Sequence, residues 1–355
     1  MKYSFKKNKN LIKNNKYIKN NIIVKTKLNK TYRKFKINMY TKIISTGKYL
    51  PDKIRNNNNL KNIINKSNEW IINRTGIYER RIARTNETVS TMGSIAAKNA
   101  IKSAGLKNND IQLIIVATIS SSHAFPSSAC IIQNELNIKD CISFDIAAAC
   151  TGFIYALSIA DQYIKNKFIK FALIIGSDIL TRTLKPKDKR TLILFGDGAG
   201  AVILSSSKKP GIISTHLHAS GKDSKLLTLP YQKRNKRKKI SWLKMSGNEI
   251  FKIAINKSIK IINETLNKNN IKHENIDWLI PHQSNLRIIN AIIKKIGIDI
   301  NKVIITLDKH GNTSSASIPL ALNQAINNGK IKPNNLVIFE AFGAGITWGS
   351  ALIRL

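Results

Sequence analysis

Residues 141–157 read Cys-Ile-Ser-Phe-Asp-Ile-Ala-Ala-Ala-Cys-Thr-Gly-Phe-Ile-Tyr-Ala-Leu, and within them a strand pattern changes directly into a helix pattern. Apolar side chains first alternate, at Ile142, Phe144 and Ile146, as they do in a strand. After four small residues they recur at helical spacing, at Phe153, Ile154, Leu157 and Ala160. The pattern therefore predicts that Cys150 lies where a strand gives way to a helix.

That position favours reactivity of the Cys150 thiol. The free N–H groups and the dipole at a helix N-terminus stabilise a thiolate and lower its pKa. The preceding alanines leave space for a substrate to approach. These features predict an activated nucleophile, and the alternative is an ordinary small core cysteine.

The composition excludes several classes of protein. With 355 residues the chain is long enough for a large core and for two domains or one duplicated domain. Its three cysteines, Cys130, Cys141 and Cys150, form no Cys-x-x-Cys pair, which argues against a disulfide framework or a zinc site and favours a reducing compartment. The net charge of +39 comes mostly from Lys scattered among Asn and Ile, the bias of an AT-rich genome, although it also favours an acidic partner.

Residues 1–38 differ from the rest of the chain. They hold 13 Lys or Arg, 8 Asn and no acidic residue, and no apolar run long enough for a signal peptide or a membrane span. We interpret this segment as a basic tail, which is a disordered arm, an organelle transit peptide or sequence upstream of a start at Met39. Without it, 46 basic and 20 acidic residues leave a net charge of +26.

From Met39 onward, strand-like and helix-like patterns alternate, which predicts an α/β fold. The order of elements repeats, and this predicts two similar halves, 39–210 and 211–355, joined by a linker at 205–210. The predicted strands are 42–46, 111–118, 171–176, 191–195, 201–204, 211–216, 276–281, 303–307, 336–340 and 351–355. The predicted helices are 91–104, 150–165, 247–266 and 285–296.

Two further sites follow predicted strands. His282 ends the strand 276–281 and precedes an amphipathic helix, a position where open α/β sheets place ligand chemistry. Asn312 lies in His310-Gly-Asn-Thr-Ser, after the predicted strand 303–307. Individually, the histidine is more often structural and the Gly-Asn pair more often a turn. A Cys, a His and an Asn, each at a strand end beside small residues, together favour a catalytic site.

From Met39 to Leu355 the sequence resembles β-ketoacyl-[acyl-carrier-protein] synthase III, a thiolase-like condensing enzyme family of type II fatty-acid synthesis. The segments that carry the resemblance are Trp70-Ile-Ile-Asn-Arg-Thr-Gly-Ile-Tyr-Glu-Arg80, Asn86-Glu-Thr-Val-Ser-Thr-Met92, Phe144-Asp-Ile-Ala-Ala-Ala-Cys150, Pro281-His-Gln-Ser-Asn-Leu-Arg287, His310-Gly-Asn-Thr-Ser314 and Glu340-Ala-Phe-Gly-Ala-Gly-Ile-Thr-Trp-Gly349.

The resemblance implies a thiolase-like fold of duplicated α/β halves in a layered α-β-α-β-α core. It implies condensation of acetyl-CoA with malonyl-[acyl-carrier-protein], with loss of CO₂, to give acetoacetyl-[acyl-carrier-protein]. Cys150 would carry the acyl group, His282 and Asn312 would stabilise the enolate, and the N–H groups of Cys150 and Ala344 would form the oxyanion hole. Neither a metal nor another cofactor is implied.

The resemblance also implies substrate-binding surfaces. Coenzyme A would contact Trp70, Arg74, Lys189, Arg190, Gly247, Phe251 and Asn285. The acyl carrier protein would contact Lys252, Gln283, Ser284, Asn285, Leu286, Arg287, Lys294 and Lys295. Phe125 would close the acyl pocket of a partner subunit in a homodimer. The expected location is the bacterial cytoplasm, or a plastid-like organelle if residues 1–38 are a transit peptide, with no nucleic-acid partner and no stable membrane insertion.

This chain departs from the family in three places. Ala344 replaces a glycine in the oxyanion turn, Lys189-Arg190 replaces an Arg-Gly pair, and Lys66 replaces a small hydroxyl residue near the adenine site.

Each competing class either requires a feature that this chain lacks or leaves the three site residues unexplained. A papain-like hydrolase uses Cys, His and Asn but carries a local Cys-Gly-Ser-Cys-Trp signature that is missing here. A biosynthetic thiolase needs a second cysteine after Cys150, and elongating condensing enzymes use two histidines. A nucleic-acid-binding protein would explain the charge but not the three site residues.

Overall fold

The structure, a computed structural model, describes residues 39–231 and 241–355. The predicted tail 1–38 and residues 232–240 lie outside the described residues. Residues 39–355 pack as one unit.

Residues 39–210 supply the first sheet and its helices. In chain order the elements are β1 (Tyr40–Tyr49), β2 (Ile54–Asn56), α1 (Asn57–Ile64), α2 (Asn68–Thr75), β3 (Glu79–Arg81), α3 (Val89–Ser103), β4 (Leu113–Ala117), α4 (Ser128–Glu135), β5 (Ile142–Ile146), α5 (Gly152–Lys165), β6 (Phe171–Ile179) and β7 (Asp197–Ser207). The five-stranded sheet has the order β1-β7-β6-β4-β5, in which β1 and β6 pair antiparallel with β7, and β4 pairs parallel with β6 and β5.

Residues 211–355 supply the second sheet. Its elements, with those beside it, are β8 (Ile212–Ala219), β9 (Leu227–Thr228), β10 (Lys244–Met245), α6 (Gly247–Lys268), β11 (Trp278–Pro281), α7 (Leu286–Ile296), α8 (Leu307–His310), α9 (Ser317–Asn327), β12 (Leu336–Gly343) and β13 (Thr347–Arg354). The sheet order is β8-β13-β12-β11, with two antiparallel pairs and then a parallel one. This order repeats the pairing of β1, β7, β6 and β4, which supports the predicted duplication; the boundary at residue 210 stays a prediction.

The helices form three layers around the two sheets. Helices α5 and α9 lie between the sheets and contact strands of both, while α3 and α4 cover the outer face of the first sheet and α6 covers that of the second. Helix α7 packs against α6, and its apolar residues join the same cluster as the second sheet. The central layer holds a large apolar cluster that includes Phe153, Leu157 and Phe339. The predicted α/β fold with a layered α-β-α-β-α core is confirmed.

Two predicted strands are wrong. Residues 191–195 form a turn in which Leu192 donates to the Asp188 carbonyl, because their apolar side chains pack into a local cluster instead of a sheet. Residues 303–307 hold only one isolated bridge, from Val303 to Leu279, before α8 begins. The N–H groups of Thr306 and Leu307 donate to the Gln283 side chain, so they are not available to a neighbouring strand.

Candidate active site

Cys150 lies in one tight turn between β5 and α5. The turn spans Ala149–Thr151, and Ala149 has a left-handed backbone with φ of 48°. The Thr151 hydroxyl donates to the Ala148 carbonyl at 2.5 Å, which holds the turn closed. The strand-to-helix transition thus occurs where the sequence predicts it, and the turn aims the thiol into the interior.

The electrostatics of Cys150 differ from the sequence expectation. Burial raises the pKa of the Cys150 thiol to about 12, whereas the position near a helix N-terminus predicted a lowered pKa. The Ser314 hydroxyl, 3.6 Å from Sγ, offsets only part of the burial effect. The resting side chain is therefore a thiol, and it needs a proton acceptor at the moment of attack.

His282 follows β11 and is 4% exposed. Its Nδ1 lies 2.7 Å from the Ser317 hydroxyl, which fixes the plane of the ring. Its Nε2 is buried and has no hydrogen-bond partner among the described residues. Because burial lowers the pKa of His282 to about 3, the ring is neutral at physiological pH and presents one free nitrogen.

Asn312 does not end a strand, contrary to the sequence expectation; it follows α8 and Gly311. Its Oδ1 accepts a hydrogen bond from the Ser314 backbone N–H at 2.9 Å. This bond occupies the amide oxygen and leaves the amide nitrogen as a donor for the cavity. Ser314 thus contacts two of the three predicted catalytic residues.

One cavity of about 600 Å³ brings the three residues together. Many of the predicted substrate-binding residues line the same cavity: Trp70, Arg74, Lys189, Arg190, Gly247, Phe251, Lys252, Ser284, Asn285 and Arg287. The Arg74 guanidinium lies 4.4 Å from the centre of the Trp70 ring, and the Lys66 ammonium lies 5.4 Å from it. Arg287 lies 5.3 Å from the Phe251 ring, and Asn285 donates to the Arg74 carbonyl at 3.0 Å. The cavity wall combines flat rings with cations, a surface suited to a nucleotide.

Other predicted site residues do not line this cavity. Lys294 and Lys295 are exposed in the last turn of α7, and Leu286 is half-buried. Phe125 is 84% exposed.

The prediction that Gln283 contacts a carrier protein conflicts with its position. Gln283 is 1% exposed, and its amide makes hydrogen bonds to the backbone of Pro281, Ile304, Thr306 and Leu307. Its side chain is fully used inside the protein, where it joins the loop after β11 to the segment before α8.

The turn after β12 comes close to the nucleophile. A Cβ placed on Gly343 would lie 3.0 Å from the Cys150 nitrogen and 3.2 Å from the Thr151 nitrogen. Glycine at position 343 therefore keeps this approach open. Ala344 is the next residue in the same turn, and its N–H stays the predicted second oxyanion donor.

Sequence reasoning missed three groups that hold the site together: Ser314, Ser317 and Asp178. The two serines stand in the run Thr313-Ser-Ser-Ala-Ser317, whose composition indicates only a turn. Asp178 is the last residue but one of the apolar strand β6, and its only signal in the sequence is a carboxylate within an apolar run.

Residues 39–231 and 241–355 hold no cluster of His, Cys, Asp or Glu side chains placed to bind a metal. None of the helices in this part of the chain has the length and apolarity that a bilayer crossing requires.

This chain is similar to known proteins over most of its length. A family model of 3-oxoacyl-[acyl-carrier-protein (ACP)] synthase III matches residues 144–221, and a model of the C-terminal part of the same enzyme matches residues 266–355. The chain is 61% identical to β-ketoacyl-[acyl-carrier-protein] synthase III of Baumannia cicadellinicola and 57% identical to that of Serratia proteamaculans, each over 316 residues that cover 89% of this chain and all of the relative. The crystal structure of the Aquifex aeolicus synthase superposes with a TM-score of 0.84 at 43% identity, over 89% of this chain and all of that one. The chain belongs to the β-ketoacyl-[acyl-carrier-protein] synthase III family.

Proposed function

We propose that this enzyme condenses acetyl-CoA with malonyl-[acyl-carrier-protein], releasing CO₂ and acetoacetyl-[acyl-carrier-protein], through an acetyl group held on Cys150. The observation that carries the proposal is the single cavity that joins Cys150, His282 and Asn312 to the Trp70–Arg74 stack. The reaction starts fatty-acid synthesis.

In the first half-reaction the Cys150 sulfur attacks the thioester carbonyl of acetyl-CoA. Burial disfavours both a free thiolate and an imidazolium, so the thiol proton moves to His282 Nε2 together with the attack. The backbone N–H groups of Cys150 and Ala344 hold the carbonyl oxygen as it becomes negative. Coenzyme A then leaves as a thiol with the proton taken from His282. The neutral ring moves its remaining proton from Nδ1 to Nε2, and the Ser317 hydroxyl then donates to Nδ1.

In the second half-reaction malonyl-[acyl-carrier-protein] loses CO₂. The electron pair of the broken C–C bond moves into the thioester as an enolate. The Asn312 amide and the His282 Nε2–H donate to the enolate oxygen in a site from which the substrate excludes water. The enolate carbon attacks the acetyl-Cys150 carbonyl, and collapse of the tetrahedral intermediate releases the β-ketoacyl product and the Cys150 sulfur. A proton from solvent returns this sulfur to the thiol.

The exposed cations of α6 and α7, at Lys252, Arg287, Lys294 and Lys295, support docking of an acidic carrier protein beside the cavity. We also propose a homodimer, because β5 is a sheet edge with Ile142 42% exposed and Phe125 lies in an exposed loop nearby. The bacterial relatives named above support a cytoplasmic location.

Intact-mass analysis after incubation with acetyl-CoA tests the covalent step. We expect one added acetyl group, located on Cys150 by peptide mapping and absent from Cys150→Ser. The matched control Cys130→Ser removes an exposed cysteine and should acetylate normally. Acetylation of Cys150→Ser at the wild-type level would refute the assignment of the nucleophile.

Separate measurement of the two half-reactions distinguishes the role of the two hydrogen-bond donors from that of the nucleophile. His282→Ala and Asn312→Ala should still form acetyl-Cys150 but lose roughly 10²–10³-fold in malonyl decarboxylation, the usual effect of one missing oxyanion donor. For His282→Ala we expect slower acetylation as well. Normal decarboxylation with no acetylation would reverse these roles.

A further inference from the structure

Asp178 is a carboxylate that the proposed mechanism does not use. It stands next to the last residue of β6 and is completely buried. Its Oδ1 accepts hydrogen bonds from the Thr118 hydroxyl at 3.1 Å, the Ile119 N–H at 2.9 Å and the Ser120 hydroxyl at 2.8 Å. Its Oδ2 accepts from the Ser315 N–H at 3.2 Å and the Ser315 hydroxyl at 2.7 Å. No cation pairs with it in the described part of the chain, so these donors alone compensate its burial.

The donors come from two segments that are far apart in sequence. Residues 118–120 follow β4 in the first sheet, whereas Ser315 follows Asn312 in the other half of the chain. The Ser315 hydroxyl also lies 2.8 Å from the Ala117 carbonyl at the end of β4. The hydrogen bonds of Asp178 therefore connect the loop after Asn312 to the first sheet, whose strand β5 precedes Cys150.

Ser314 connects the loop that Asp178 holds to the reacting groups. It is bonded through its N–H to the Asn312 amide oxygen, and its hydroxyl lies 3.6 Å from the Cys150 sulfur. Its backbone is left-handed, with φ of 54°, a conformation that a serine keeps only when its surroundings hold it. The next residue, Ser315, is the one that Asp178 binds twice.

We propose that Asp178 is a positioning residue for the decarboxylation half-reaction: its carboxylate holds the Ser314–Ser315 turn so that the Asn312 amide faces the acetyl group on Cys150. The assignment of decarboxylation to Asn312 rests on the proposed function.

The same carboxylate acts on Cys150 through its charge. After burial, which has the largest effect, the negative charge of Asp178 also raises the pKa of the Cys150 thiol. The other ionisable groups at the cavity are neutral His282 and the cations Arg74, Lys189, Arg190, Lys252 and Arg287, which a change at position 178 leaves in place. Removal of the Asp178 charge should therefore make the thiol more acidic. A selective loss of decarboxylation, in contrast, is what distinguishes a positioning residue from a structural one.

Asp178→Asn tests both effects, because the amide has nearly the volume of the carboxylate. The amide oxygen of the new side chain can still accept the three hydrogen bonds from residues 118–120. The amide NH₂ group then faces the Ser315 N–H, and because both groups are donors, the Ser315 N–H has no acceptor. We expect malonyl decarboxylation to fall roughly 10²-fold, as for a misplaced oxyanion donor. The extent of Cys150 acetylation and the KM for acetyl-CoA should stay within a few-fold of wild type. The pH profile of Cys150 alkylation by iodoacetamide should move to lower pH.

Ser315→Ala is the second variant, because it removes the hydroxyl link but keeps the carboxylate charge. It should lower decarboxylation by a smaller factor and leave the alkylation profile in place. The matched control is Asp161→Asn, another buried aspartate, which pairs with Lys165 and lies roughly 16 Å along α5 from Cys150. We expect neither decarboxylation nor the alkylation profile to change in this control.

Wild-type decarboxylation in Asp178→Asn would overturn the proposal. An equal loss of both half-reactions with an unmoved alkylation profile would also overturn it and show a structural role only. If Asp178→Asn does not fold, Ser315→Ala decides: a selective loss of decarboxylation supports the proposal, and normal decarboxylation refutes it. Failure of the proposed function is distinct, because it would appear as wild-type protein that is never acetylated, whereas alkylation needs no acyl-CoA.

Discussion

Glu340 is a further buried carboxyl group, on β12 beside the end of β11 that precedes His282. It is 2% exposed, its Oε1 has no partner among the described residues, and its backbone carbonyl accepts from the His282 N–H at 2.7 Å. Both residues line one small cavity. Burial raises the pKa of Glu340 to about 7, and a hydrogen bond with Ser258 lowers it in part.

This raised pKa makes stability depend on pH. The folded protein holds the Glu340 proton more tightly than the unfolded chain, whose pKa is near 4.5. The stabilisation is therefore fully present below pH 4.5 and is lost as the pH rises through 7. Glu340→Gln stays neutral, so at pH 8 it should be more stable than wild type by up to roughly 3 kcal/mol, with near-equal stability at pH 4.5. Urea unfolding from pH 4.5 to 8 measures the difference.

The other buried titratable groups contribute equally to the stability of wild type and of Glu340→Gln, so their effects cancel when the two proteins are compared. Burial lowers the pKa of His282 to about 3 and that of His310 to about 4, so both reduce stability as the pH falls below 6.5, with the opposite sign to Glu340. Both are present in either protein. The exposed Glu249→Gln serves as the control for loss of a surface charge. Parallel pH curves for wild type and Glu340→Gln would contradict the prediction.

Helix α2 shows how one glycine places a substrate-binding element. The helix carries Trp70 and Arg74 and ends at Gly76, whose left-handed φ of 74° closes the helix with a bond to the Ile72 carbonyl. The Leu286 side chain, in the first turn of α7, packs directly against this glycine. The aromatic and cationic wall of the cavity thus depends on contact between two helix ends.

Gly76→Ala should disturb this contact. The new Cβ would lie 2.4 Å from the Leu286 Cβ, so α2 and α7 must separate, and the backbone strain adds to the cost. We expect a destabilisation of about 2–4 kcal/mol and a several-fold higher KM for acetyl-CoA. Thermal unfolding and initial-rate kinetics measure the two effects.

Gly105→Ala is the control for backbone strain alone. Gly105 has nearly the same φ, 66°, but no atom lies within 4 Å of an added Cβ. It should cost about 1–2 kcal/mol without a change in KM. Equal behaviour of the two variants would mean that the contact with Leu286 is unimportant.

At the scale of the whole molecule, the exposed Phe125 loop tests the proposed homodimer. If the ring closes the partner's acyl pocket, Phe125→Ala should open space for a longer primer. Each buried CH₂ is worth roughly 0.8 kcal/mol, so a primer four carbons longer should gain about two orders of magnitude in selectivity. Competition between acetyl-CoA and hexanoyl-CoA measures this, with Phe168→Ala as a control at another exposed phenylalanine, 74% accessible. An unchanged preference between the two primers would contradict the proposed role of Phe125. A monomer in light scattering at working concentration would contradict the proposed homodimer.

The sequence by itself determined the elements that depend on local pattern. The alternation before Cys150 and the helical spacing after it predict β5 and α5, because side-chain periodicity follows directly from backbone geometry. The motifs around Cys150, His282 and Asn312 name the residues that the structure then brings to one cavity. Local pattern failed at 191–195 and 303–307, whose apolar residues pack into side-chain clusters and whose N–H groups find other acceptors.

Only the tertiary structure decided the environment of those residues. Whether Cys150 rests as a thiol depends on burial by segments that surround it, and this effect outweighs the helix N-terminus that the sequence shows. In the sequence Gln283 is typical of a surface residue, but in the structure its amide is hydrogen-bonded to the backbone of residues 304–307. Asp178 acquires a role only through Ser315, 137 positions away. Hydrogen bonds and desolvation act through space, and residues so far apart in the chain meet only after both sheets have packed.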